Sequence, residues 1–180
     1  MTLRKIALLG HPVLLTRAEP VADPAAPEIQ RLIDDMLATM VDAEGIGLAA
    51  PQVHESLRLV VALEMPDRAQ RDSAVAHVLI NPELELIGAP DQLAFEGCLS
   101  IPGLRGRVPR HAELRYRALD RRGRPIAGQA SGLFARVLQH EVDHLDGILY
   151  PMRMPDLRAL AFSAELPHLT AWLEQCGDPS

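Results

Sequence analysis

The stretch Ser131-Gly-Leu-Phe-Ala-Arg-Val-Leu-Gln-His-Glu-Val-Asp-His-Leu-Asp-Gly147 decides what kind of fold this chain can adopt. Leu133, Phe134, Val137, Leu138 and Leu145 recur at helical spacing, with Ser131 placed as an N-cap and Gly147 as a stop, so the pattern predicts a helix over 131–147. His140 and His144 stand at i and i+4, one turn apart on one face. Leu133 and Val137 continue that face towards the N-terminus, so both imidazoles point into the protein. Two inward, neutral imidazoles one turn apart suit a single metal ion, and Glu141 between them can reach a water held by that ion.

Working outward, a second helix is expected over 27–44, where Ile29, Leu32, Ile33, Met36, Leu37, Met40 and Val41 repeat every three or four residues and Asp34, Asp35 and Asp42 lie opposite. Gly45 should end it in the left-handed conformation. Between the helices the pattern favours strands. Residues 57–63 are an apolar run broken only by Arg58, 78–86 carry a bend at Asn81-Pro82, and 113–119 alternate in period two before the turn chemistry of 120–125. Residues 148–150 read as one more short strand, and the tail over 155–180 as helical, with Pro167 opening, kinking or dividing the helix. Strands dominate the middle and two helices bracket them, so the class is α+β with a largely antiparallel sheet and a C-terminal helical tail.

Composition narrows the class further. A chain of 180 residues is expected to form one domain over 1–180, and 48% hydrophobic with 23% charged residues exclude a disordered chain, a collagen repeat or a coiled-coil rod. The formal charge of −6 disfavours DNA as a partner, and no apolar run is long enough to cross a membrane. Ile6 to Leu9 follow two basic residues as a signal peptide would, but His11 and Pro12 cut the run short. Two cysteines, Cys98 and Cys176, make a poor disulfide framework and fit a reducing cytoplasm.

A hydrolytic metal site commonly uses three protein ligands and keeps one position open, so two histidines need a third donor. Downstream, His168 and Glu165 fall in the irregular tail. Upstream, Cys98 lies in Glu96-Gly-Cys-Leu-Ser100, a tight segment flanked by extended chain, and is the preferred candidate. A third cluster, Gly45-Ile-Gly-Leu-Ala-Ala-Pro-Gln52, lacks the Lys-Ser/Thr ending of a phosphate loop. Its Gln52 carries an amide able to donate a hydrogen bond to a developing oxyanion.

In their order and spacing, Gly45-Ile-Gly-Leu-Ala-Ala-Pro-Gln52, Glu96-Gly-Cys-Leu-Ser100 and Gln139-His-Glu-Val-Asp-His-Leu-Asp-Gly147 resemble the three motifs of the peptide deformylases. The likeness reaches from the first amphipathic helix to about Tyr150. It implies an α+β fold with largely antiparallel sheets around a central metal-binding helix, and removal of the N-formyl group from the initiator methionine of nascent polypeptides, with formate released. It further implies Cys98, His140 and His144 as ligands of one divalent ion, Glu141 as acid/base, and Gln52 with the Leu99 backbone N–H as oxyanion donors. The metal implied is Fe(II), with Zn, Ni or Co as forms a preparation can contain. Main-chain groups near Ile46 and Gly47 would hold the peptide in an extended pose, and Arg105 would meet its backbone. Asp143 or Gln139 would steady a ligand or the Cys98 loop.

Partners implied are formyl-methionyl nascent chains and, through them, transient contact with the ribosome. Arg105, Arg107, Arg110, Arg115, Arg117, Arg121, Arg122 and Arg124 concentrate positive charge in one stretch, read chiefly as a solvated hairpin face, with ribosomal RNA as the alternative. The tail after Pro155 sets Arg158 against Asp156, Glu165, Glu174 and Asp178, so docking through a basic terminal helix is not expected. Two rivals remain open at this stage: a divergent paralogue acting on another N-acyl compound, and a non-catalytic metal-binding module. Retained Glu141 and Gln52 speak against the second, since a structural metal site needs neither.

Overall fold

In the computed structural model, which describes residues 1–65, 67, 69 and 73–176, the first periodic stretch forms helix α1 (Pro27–Asp42). Ile29, Leu32, Ile33, Met36 and Met40 are buried along one face, whereas Val41, counted in the apolar stripe, is exposed. Pro27 at the first helical position loses nothing, because its missing N–H would have had no intrahelical partner. The helix ends in a Schellman arrangement: the Glu44 N–H donates to Val41 O at 3.1 Å and the Gly45 N–H to Met40 O at 2.8 Å. The left-handed residue is Glu44 (φ 54°) and not Gly45. Gly45 is required for space instead, since a Cβ there would stand 2.9 Å from Leu99 Cδ1.

The strands are β1 (Gly47–Ala49), β2 (Leu59–Glu64), β3 (Val75–Ile87), β4 (Gln92–Cys98), β5 (Ile101–Arg110), β6 (Glu113–Leu119) and β7 (Pro125–Ser131), followed after the motif-bearing helix by β8 (Leu160–Phe162). They make a five-stranded sheet of order β1-β2-β3-β6-β7 and a three-stranded sheet of order β4-β5-β8, with every pairing antiparallel. The bend at Asn81-Pro82 is a register shift between Ile80 and Glu83. Asn81 adopts φ 52° and clamps Val21, accepting from its N–H at 2.9 Å and donating to its carbonyl at 3.0 Å.

Helix α2 (Gly132–Leu145) runs through the main core, packed against β1, β2 and β7. Ser131 stands at its N-cap position but makes no capping bond, because it is still the last residue of β7. Residues 148–150 are not a strand: Tyr150 opens a 3-10 turn, Tyr150–Arg153, where Pro151 removes a ladder donor. Tyr150 itself is buried with Ala7, Leu14, Ile101, Val108 and Leu149 in a second core under the smaller sheet. The tail holds β8 between two 3-10 turns, Leu157–Ala159 and Ser163–Glu165, and then helix α3 (Leu166–Cys176), with Pro167 in its first turn, where it is tolerated. The Cys176 side chain and Asp178, both weighed in the sequence, lie outside the described residues.

Within the basic run, Arg110 is buried between Glu96 and Asp143, while Arg115, Arg121 and Arg124 pair with Glu85, Asp34 and Asp120. At least four of the eight arginines are therefore paired with carboxylates in place. Among the described residues no helix is long and apolar enough to cross a membrane.

Candidate metal centre

α2 delivers His140 and His144 with ring centroids 5.0 Å apart, and the end of β4 delivers Cys98 to face them. One ligand atom from each of the three lies within 4.8 Å of the others, the Cys98 sulfur standing 3.2 Å from His144 Nε2. A soft sulfur and two imidazole nitrogens converging on one point are a donor set that fits a borderline divalent ion. His168 and Glu165 are exposed in the tail and take no part.

Glu96 fixes the orientation of His140, with its Oε2 2.9 Å from Nδ1, which leaves Nε2 for the ion. Two arginines share that buried carboxylate with the imidazole. Arg110 donates to it from Nε at 2.9 Å and Nη2 at 3.0 Å, and Arg136 from Nη1 at 2.7 Å. Burial alone would raise Glu96, but the hydrogen bonds from His140 and Arg110 and their charges outweigh it and hold the carboxyl at about 2. The chain of charges continues from Arg110 to Asp143 at 2.6 Å and from Asp143 to Arg153. Asp143 thus reaches the ligands only through Arg110 and Glu96. Gln139 binds the main chain of His111 and touches neither histidine.

Burial lowers His140, yet its bonds to Cys98 and Glu96 prevail and hold it well above the ordinary imidazole value; burial and the neighbouring His140 push His144 well below it. Glu141 is buried at the floor of the cleft, and its Oε2 has no hydrogen-bond partner among the described residues. Burial, opposed by His140 and Arg110 and reinforced by Glu96, pushes its carboxyl up to about 7. A group poised near neutrality can both take and return a proton.

Gln52 is held by its own backbone turn: Oε1 accepts from the Ala49 N–H at 2.8 Å, so Nε2 points at Cys98 Sγ (3.5 Å) and Ser100 Oγ (3.2 Å). A cleft of about 460 Å³ opens over these groups, lined by Ile46, Gly47, Leu99, Arg105, Leu133 and Val137. Gly47 is dictated by Glu141, whose carboxylate occupies the place a Cβ would take. Gly97 is dictated by Arg105, whose guanidinium would stand 2.6 Å from a Cβ there.

Sequence reasoning gives no part in the site to Glu96, Arg136 or Tyr150, and reads Arg110 as part of a solvated face, whereas it is buried beside Glu96 and Asp143. Glu96 had the visible signal of its place two residues before Cys98. Arg136 had the signal of its place one turn before His140 on the same helix, whereas Arg110 on β5 and Tyr150 in the turn after α2, whose ring lies stacked 6.3 Å from that of His140, had none, because only the tertiary fold brings them there.

A sequence model of the family described as polypeptide deformylase matches residues 3–159. Peptide deformylase 2 of Ralstonia nicotianae is 46% identical over 172 residues, covering 94% of this chain and 97% of the relative. Peptide deformylase 2 of Bordetella bronchiseptica is 45% identical over 163 residues, covering 89% and 93%. Among solved structures, the peptide deformylase of Thermus thermophilus superposes with a TM-score of 0.77 at 41% identity, covering 97% of this chain and 93% of that one. The class I type b peptide deformylase of Acinetobacter baumannii with Met-Ala-Ser bound gives 0.75 at 35% identity, covering 85% and 99%.

Proposed function

The chain belongs to the peptide deformylase family, and from that premise we propose that Cys98, His140 and His144 hold its metal ion and that Glu141, Gln52 and the Leu99 N–H carry the reaction. The enzyme is a metal-dependent hydrolase that removes the N-formyl group from nascent peptides. The observation supporting the residue assignment is the convergence of one sulfur and two imidazoles beside a buried, unpartnered carboxylate oxygen. A divalent ion in that set supplies Lewis-acid chemistry, acidifying water and polarising a carbonyl.

The chain's own groups do the rest. Glu141 accepts a proton from the attacking water as its oxygen adds to the formyl carbon. Gln52 Nε2 and the Leu99 N–H donate to the oxyanion so formed, each such donor contributing on the order of 3 kcal/mol. Glu141 then returns the proton to the amine nitrogen as the C–N bond breaks, giving formate and a free N-terminus. Its carboxyl, raised by burial, suits both transfers. The main chain at Ile46 and Gly47 holds the substrate extended, and Arg105 meets its backbone from the opposite wall. The Met-Ala-Ser bound to the Acinetobacter baumannii relative is the kind of peptide such a cleft takes.

The resident ion in this reading is Fe(II), with Zn, Ni or Co able to replace it, since thiolate and imidazole select weakly among these. Its substrates are formyl-methionyl chains met in the cytoplasm, in transient contact with the ribosome. Co-sedimentation with ribosomes at low salt, lost at high salt, checks that contact.

The decisive experiment is formate release from a formyl-Met peptide by protein purified anaerobically with Fe(II). Turnover of that peptide, none of its acetyl-Met counterpart, and a loss of about 10³-fold in Glu141→Ala with metal retained are expected. A Glu141→Ala enzyme of undiminished activity would overturn the assignment.

A further inference from the structure

β7 is an edge strand: in the order β1-β2-β3-β6-β7 it pairs with β6 alone. Which of its main-chain groups are left over follows from two hydrogen bonds at the ends of the hairpin. The Asp120 N–H donates to the Arg124 carbonyl at 2.9 Å and the Gly132 N–H to the Ala112 carbonyl at 3.0 Å, in line with the register Ala118↔Ile126 and Leu114↔Ala130. Hydrogen-bonded and non-hydrogen-bonded pairs alternate along an antiparallel ladder. Ile126, Gly128 and Ala130 therefore bond β6, whereas Ala127, Gln129 and Ser131 direct their N–H groups away from it. Among the described residues no other hydrogen bond engages those three N–H groups, and all three residues are exposed.

Sheet edges in natural proteins are commonly guarded by charge. β7, Pro125-Ile-Ala-Gly-Gln-Ala-Ser131, carries none over seven residues. Its two ends are irregular in complementary ways. Pro125 has no N–H to offer, and the carbonyl of Ser131, at the N-cap of α2, is committed to the first turn of that helix. An antiparallel copy of the same strand, related by a two-fold axis through Gly128, sets Ala127 against Gln129 and Ser131 against Pro125. Every outward N–H then meets a carbonyl, and the missing donor stands opposite the occupied acceptor. Moving the axis to Ala127 leaves a Gln129 carbonyl facing Pro125, and moving it to Gln129 leaves an Ala127 N–H facing the Ser131 carbonyl. Gly128 meets its own copy on the axis and brings no side chain there, because Tyr116 Oη would lie 2.6 Å from a Cβ. On the α2 side half-buried Ile126 falls against Ala130 of the second copy, and on the solvent side Ala127 falls against Gln129. Arg115 and Arg117 stand one strand back on β6, so no like charges face each other across the junction.

We propose that the free edge of β7 is a self-association surface, where a second copy of this chain adds its own β7 and the two five-stranded sheets continue as one across a two-fold axis. The occupant is a second copy because an unrelated extended peptide would leave a carbonyl unpaired at Pro125 and an N–H unpaired at Ser131. A single strand pair is a small contact, so the dimer is weak and forms at roughly micromolar concentration.

The test is sedimentation equilibrium of the full-length, zinc-loaded protein, whose mass should rise from monomer towards dimer between about 1 and 100 µM. Gln129→Lys puts a charge on the junction, and Ala127→Pro removes a donor that the chain itself does not use. Both should stay monomeric over that range and melt, when dilute, at the wild-type temperature. Hydrogen exchange locates the contact in wild type, whatever the folding of the proline variant. Raising the concentration from about 5 to 500 µM should slow exchange at the N–H groups of Ala127, Gln129 and Ser131 about tenfold and leave Ile126, Gly128 and Ala130 unmoved. A monomer at every concentration, a dimer that persists in Gln129→Lys, or slowing that does not alternate along the strand overturns the proposal.

Discussion

At the scale of single residues the site is governed by what each group leaves no room for. Gly47 has no space for a side chain because the Glu141 carboxylate lies against it, so Gly47→Ala must displace the one group that handles the proton. A misplacement of this order costs about 100-fold in kcat. Formate release should fall by that much while iron content, measured by elemental analysis, stays at the wild-type level, because the three ligands come from other residues. Glu96 works differently. It turns His140 towards the ion and balances Arg110 and Arg136 in a buried place, so Glu96→Gln keeps the shape and removes the charge. Metal affinity should drop by about 10- to 100-fold in chelator competition. Stability should fall by about 3 kcal/mol in urea titration, since guanidinium charge is left buried without its carboxylate. A Glu96→Gln protein that binds metal as tightly as wild type would show that His140 is oriented by packing alone.

At the scale of elements, the bulge in β3 anchors the N-terminal segment. Asn81 satisfies both main-chain groups of Val21 and sits in the left-handed region that asparagine tolerates better than most residues. Asn81→Ala loses both bonds and keeps the strained φ, so a destabilisation of about 2–3 kcal/mol is expected, read as a lower melting temperature with unchanged KM. The sequence displayed this bend, because Asn-Pro inside an apolar run can hardly be regular strand. It displayed α1 and α2 as well, because a helix writes its buried face at a fixed local period, and the His140/His144 pair came with it. β1 and β8, at three residues each, are too short to carry a period; they exist because β2 and β5 offer an edge. The exit of α1 was misassigned for a related reason. A glycine next to a helix end looks like the left-handed cap, but Leu99 of the distant Cys98 loop claims Gly45 and leaves the cap to Glu44. The carboxylate behind His140 stood beside Cys98 in plain sight, yet its partners Arg110 and Arg136 come from β5 and α2 and meet only in three dimensions.

At the scale of the whole molecule the ligands belong to different layers. His140 and His144 ride on α2 in the main core, whereas Cys98 ends β4 in the smaller sheet, which has its own apolar cluster around Tyr150. An ion held by all three therefore links two packing units, in parallel with the bonds from Glu96 to His140 and Arg136 that cross the same gap. Any group that binds the folded chain and not the unfolded one stabilises it by mass action, by about 4 kcal/mol when present at a thousand times its dissociation constant. For a chain of this size that corresponds to roughly 10 °C in melting temperature. Chelation should accordingly lower the melting temperature of the wild-type holoenzyme by about that amount. Cys98→Ser, which removes the only ligand contributed by the smaller sheet, should melt close to the chelated wild type and respond little to chelator. If chelation leaves wild type unmoved while abolishing activity, the linkage rests on Glu96 and its arginines, and the ion serves the chemistry without holding the two sheets together.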